Sequence, residues 1–103
     1  MQISTITAIM AFGAAAASAT TINLFSATKC ADGDYIKTLG GLKSGCHKFG
    51  VANVKAVDTR NLSGKCTVTV YSDASCSDHA TPARLDECVP RAGGWQSFSV
   101  DNC

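Results

Sequence analysis

"VTVYSDASCSD", Val68 to Asp78, says for the second time something the chain has already said. Forty-six positions earlier it runs "INLFSATKCAD", Ile22 to Asp32. At that one offset Phe25 answers to Tyr71, Ser26 to Ser72, Cys30 to Cys76 and Asp32 to Asp78; one step back, Thr21 answers to Thr67. In each copy apolar and polar residues alternate, with Ile22 and Leu24 in the first and Val68 and Val70 in the second. That is the period of a strand with one buried face. Each strand closes on an aromatic and passes into a polar stretch with a cysteine. Chance similarity of two ordinary strands is the competing explanation. Four identities at one offset, a cysteine and an aspartate among them, favour duplication.

The match continues more loosely downstream. "CHKFGVANVKAVD" (46–58) parallels "CVPRAGGWQSFSVD" (88–101): a cysteine, a glycine-containing turn, then an alternating strand that ends in aspartate. Val54 falls on Phe98 at one offset and Val57 on Val100 at the next, so a bulge is expected between them. Of the intervening segments, "DYIKTL" (34–39) reads as a strand, and "HATPARLDE" (79–87), with its proline, as an edge or a loop. "DTRNLSGK" (58–65) is the polar link. The plan is an all-β fold, a small disulfide-stapled β-sandwich of two similar Greek-key-like four-strand units, about 20–58 and 65–103. Each unit buries the apolar face that the other cannot cover alone.

Six cysteines in a short chain are most simply three disulfides formed in an oxidising compartment. Cys30, Cys46, Cys66, Cys76, Cys88 and Cys103 include no close pair of the zinc-binding kind. If the first and last strands of a unit are antiparallel neighbours, Cys30 meets Cys46 and Cys76 meets Cys88. Cys66 and Cys103, which bracket the second unit, then pair with each other. The counterpart of Cys66 in the first unit is Thr20, which explains why only one unit has a third bridge.

The first residues read as a leader. "MQISTITAIMAFGAAAASA" has an apolar run from about Ile6 to Ala17 and the small-x-small end Ala17-Ser18-Ala19, the layout of a secretory signal peptide cleaved after residue 19. The run is shorter than a bilayer span. Residues 20–103 are left as one domain, with a core too small to dispense with cross-links. All nine basic and eight acidic residues lie in that part, and the net charge of +1 argues against nucleic acid as a partner.

A strand ending in an aromatic, as in "VTVYSDASCSD", followed later by "WQSFSV", resembles the doubled Greek-key unit of the βγ-crystallin fold. Secreted members of that fold include microbial killer toxins and metalloproteinase inhibitors. Gly93-Gly94 ahead of Ser97 departs from the family's calcium signature, so no metal is expected. More broadly, the leader, the size, the six cysteines and the strand style resemble the small secreted cysteine-rich proteins of filamentous fungi, many of which act as effectors on a host or on competing microbes.

Chemistry is hard to find. With every cysteine bridged, no thiol is left for His47 or His79 to activate. The serines lack a nucleophile-elbow context, and the single Glu87 leaves any carboxylate pair to turn-forming aspartates. Asp32-Gly33-Asp34 reads as a turn rather than a calcium loop. No catalytic residue, metal or cofactor is therefore expected. Asn61-Leu62-Ser63 is an N-glycosylation sequon in the link. Arg91-Ala92-Gly93-Gly94-Trp95 offers a glycine-flexed loop with the only tryptophan beside an arginine, two residue types favoured at binding hot spots. The other reading of that stretch packs Trp95 on the second sheet. The expectation is a monomeric, non-enzymatic secreted effector-type protein that binds an extracellular host or microbial macromolecule, with Arg91, Gly93, Gly94 and Trp95 as the contact and no role for membranes. The alternatives are a killer-type toxin acting on membranes, for which a charge of +1 is small, and a protease inhibitor using His79 to Leu85, with Pro82 and Arg84.

Overall fold

A computed structural model describes residues 19–103; the leader reading falls on residues outside that range. Eight strands follow one another: β1 (Thr21–Phe25), β2 (Tyr35–Leu39), β3 (Gly45–Lys48), β4 (Val54–Asn61), β5 (Thr67–Tyr71), β6 (Thr81–Pro82), β7 (Cys88–Trp95) and β8 (Ser97–Asp101). They form two antiparallel four-stranded sheets, ordered β2-β1-β4-β7 and β3-β8-β5-β6. The protein is a small all-β sandwich stapled by three disulfides.

Alternation places the core as the sequence implies. Ile22, Leu24, Val68 and Val70 point inward from β1 and β5, to meet Val54 and Val57 of β4 and Phe98 and Val100 of β8. Full burial of each such side chain stabilises by about 1.5–3 kcal/mol. Phe49 stacks on Phe98 with centroids 5.1 Å apart and closes one end of this cluster. Phe25 breaks the alternation because the β1–β2 register shifts between Leu24 and Phe25. It is buried outside the main cluster, edge-on to Tyr35.

Sheet membership departs from the unit-by-unit plan. The third strand of each unit leaves its own sheet: β3 pairs with β8 of the second unit, and β7 pairs with β4 of the first. The two halves are thus interlocked by a reciprocal exchange. The link is also shorter than the sequence suggests, since β4 runs on to Asn61, and the proline-bearing segment gives only the two-residue edge strand β6.

The exchange overturns two of the three expected cysteine pairings. Cys30 is bonded to Cys88 and Cys46 to Cys76, while Cys66 is bonded to Cys103 as expected. The expected pairing needs Cys46 at the start of the strand beside β1, but Cys46 lies on β3, in the opposite sheet. There the loop after β5 passes over the start of β8, with the Cys76 N–H donating to Ser97 Oγ at 3.1 Å, and reaches β3. The Cys30–Cys88 bridge is its counterpart in the other sheet. Both bridges therefore join one unit to the other, each fastening an exchanged strand.

A candidate binding groove at the sheet crossovers

On leaving each exchanged strand the chain crosses back to the other sheet, through residues 49–53 from β3 to β4 and through Gln96 from β7 to β8. These two segments border one open groove of about 550 Å³, within the ~300–1,000 Å³ range usual for ligand sites. Gly50 and Asn53 shape its first wall, with φ of 77° and 60° in the left-handed region. Lys48 and Lys55 flank that wall on β3 and β4. The second wall is Gly93, Gly94 and Gln96.

That second wall is a bulge, not a loop between elements. Ala56 faces Pro90 and Val54 faces Trp95, so Arg91 to Gly94 are four residues set against the single Lys55. The surplus folds over itself. The Arg91 guanidinium lies 5.7 Å from the centroid of the Trp95 ring, a cation–π distance, and the Cβ position of Gly93 is 3.6 Å from an Arg91 nitrogen. Gly94 has φ 89°, and a Cβ there would sit 3.4 Å from the Val54 carbonyl oxygen. Glycine is needed at this position by backbone conformation and by space together.

Trp95 is not displayed. It is 6 % exposed, belongs to the core cluster, and donates its indole N–H to the Val89 carbonyl at 3.0 Å. Of the four residues expected to form a contact loop, Gly93 and Gly94 shape the groove, Arg91 caps the indole, and Trp95 supports the floor from within.

Lys48 and Lys55, like the other lysines, have no carboxylate within salt-bridge range among the described residues; Arg60 lies between Asp58 and Asp86, and Arg84 lies near Glu87. The acidic residue nearest in sequence to the groove, Asp73 beside Ala74, turns inward on its own loop. Its carboxylate accepts from the N–H groups of Ser75, Ser77 and Asp78 and from Ser77 Oγ, at 2.7–3.0 Å. Those hydrogen bonds to the charged form, that from Asp78 foremost, hold its carboxyl well below the usual carboxylate range.

The remaining candidates are scattered. Asn61 is exposed at the end of β4, with space for a glycan. His47 Nε2 is 2.6 Å from the Lys43 carbonyl, and His79 Nδ1 is 2.8 Å from Ser72 Oγ, so the two histidines have separate partners. The Ser72–His79 pair was not anticipated and lies in exposed turns outside the groove. Asp32–Asp34 is a 3-10 turn closed by the Asp34 N–H on the Ala31 carbonyl. Among the described residues no three His, Cys, Asp or Glu side chains converge as metal ligands, and no helix is long and apolar enough to cross a membrane. In the segment from His79 to Leu85, Ala83 is buried and fixed at both backbone atoms, to Val68 and to Thr59 Oγ1. Arg84 and Leu85 project beyond it, in a turn closed by the Glu87 N–H on the Arg84 carbonyl at 3.3 Å.

No family model, no curated protein and no solved structure matches this chain.

Proposed function

We propose that the protein is exported and works outside the cell as an effector-type binder, without chemistry of its own, and that the crossover groove is its contact with a host or competitor macromolecule. The observation that carries this reading is the groove itself: two lysines with no carboxylate partner among the described residues and a wall of glycines, set between segments held by disulfides and by the core. Three disulfides in a domain of this size are compatible with an oxidising, extracellular setting. The leader-like first residues support export, the exposed sequon at Asn61 is compatible with it, and the two similar interlocked units support kinship in style with crystallin-type domains. The test is to apply oxidised protein to leaf tissue and, separately, to a panel of microbes. A response lost in Lys48→Glu/Lys55→Glu and kept in Lys37→Glu, on the distant strand β2, supports the groove. Equal responses from both variants remove it.

A second reading, docking to a trypsin-like protease, is favoured by the exposed Arg84–Leu85 pair held between anchored residues. Its weakness is the Arg84 carbonyl, which the turn occupies and which a protease would have to free. Inhibition of trypsin that disappears in Arg84→Ala would promote this reading; no inhibition by either protein dismisses it.

A further inference from the structure

We infer that the ligand of the groove is a short stretch of acidic oligosaccharide, whose successive uronic-acid carboxylates meet Lys48 and Lys55; the inference rests on the groove being the contact. Charge comes first. Two lysines line the groove, neither is paired to a carboxylate among the described residues, and the neighbouring Asp73 is committed to its own loop. The ion pairs of Arg60 lie toward the far end of β4. An anion entering here meets cations without having to displace an internal partner.

The rest of the lining narrows the class of anion. Asn53 and Gln96 are exposed and bring side-chain amides, which both donate and accept, as hydroxyl-rich ligands require. Glycine and alanine supply much of the remaining wall, so a flat, polar ligand can approach the backbone closely. A lipid or an apolar peptide would look for large hydrophobic side chains, and the exposed ones, Tyr35 and Leu85, lie outside the groove.

Strand addition of an acidic peptide is disfavoured at the β7 edge, and the glutamate-rich peptide of the test below probes the other bordering edge, β3. Strand addition needs a run of free N–H and C=O groups, but on β7 the Pro90 nitrogen has no hydrogen and the four residues from Arg91 to Gly94 bulge out of the ladder. Nucleic acid is disfavoured by the count of cations: two in the groove and +1 over the chain, against the extended basic tracks that phosphate chains need.

The experiment is titration of the oxidised protein with trigalacturonate, followed by amide chemical shifts and calorimetry. Two comparators are run alongside: the fully methyl-esterified trimer and a short glutamate-rich peptide. The expected result is shifts confined to Lys48, Asn53, Lys55, Gly93, Gly94 and Gln96, weaker binding at higher salt, and a loss of about tenfold or more for Lys48→Gln and for Lys55→Gln, the scale of a charge-assisted contact. Lys37→Gln should bind as wild type does, and an unchanged melting temperature establishes that the variants are folded. If the methyl ester binds the same residues as tightly, the groove is a site but the acidic-sugar inference is overturned. If the peptide binds there more tightly than the sugar, the inference fails in favour of a protein partner. If no probe shifts these residues, the inference fails, and the tissue and microbe responses of the double lysine variant decide separately whether the groove is the contact.

Discussion

The two crossovers solve one geometrical problem in different ways. In the first unit β3 is straight and short, and the surplus residues lie after it, in the five-residue connection 49–53. In the second the connection is Gln96 alone, and the surplus lies inside the strand, as the bulge from Arg91 to Gly94. The groove lies between these two surpluses. The two halves agree in the alternating strands and the exchanged cysteines, and differ in where each holds its surplus residues.

The loops after β1 and β5 make the same point. In both, the serine following the aromatic closes the loop through its N–H and its Oγ: Ser26 on the Asp34 carbonyl, Ser72 on the Asp78 carbonyl. The second loop has Asp73 as an internal hub, where the first has Ala27 at the same offset. The shared serine serves the fold; the unshared aspartate stiffens one loop.

The comparison is most easily broken at the disulfides. Removing Cys30–Cys88 or Cys46–Cys76 by paired alanine substitution should cost about 4 kcal/mol in each case in the chain-entropy model, with the 58-residue separation costing slightly more than the 30-residue one. Urea unfolding of the oxidised proteins measures this. Peptide mapping under non-reducing conditions tests the exchange directly, and pairs confined within one unit would break it.

Next in size is Trp95→Ala, which should destabilise by about 3–5 kcal/mol as a core deletion. An exposed contact residue would cost almost nothing, so the same urea titration separates the two roles. Gly94→Ala should cost about 1–2 kcal/mol for its left-handed backbone, and somewhat more for the approach to Val54. Gly33→Ala, in open space without a positive φ, should be close to neutral.

The smallest effect sharpens the difference between the two loops. The Asp73 carboxyl is held below its unfolded value, so its contribution is fully present above the unfolded pKa of about 4 and is lost as pH falls toward the folded value. The melting-temperature gap between wild type and Asp73→Asn should be constant near neutrality and shrink progressively below about pH 4. The equivalent gap for Ala27→Asn should not depend on pH in this way.

Much of the fold was legible because alternation is local. Val68 to Tyr71 and Ile22 to Phe25 declare an inward face without reference to any other part of the chain. The exchange was not legible, because the residues of β3, Gly45 to Lys48, carry no alternation strong enough to say which sheet they join. Two cysteine pairings were lost with it. β7 looked like a loop because Pro90, Gly93 and Gly94 are the residues of turns, and here they serve a bulge. The groove was legible only in pieces: Gly93 and Gly94 stood out in the sequence and residues 48–55 lie at the matching place in the looser repeat, but nothing local says that the crossing of the two halves sets these segments side by side.

That crossing also bears on how the chain comes to be folded. Cys30 and Cys46 emerge first during synthesis, yet their partners are Cys88 and Cys76. Neither early thiol can be correctly oxidised until its partner in the second half has been made. Oxidation of the nascent first half on its own would join Cys30 to Cys46 and lock β3 away from β8. Where early oxidation outruns synthesis, the yield of native protein should follow the supply of disulfide isomerase more closely than that of oxidant.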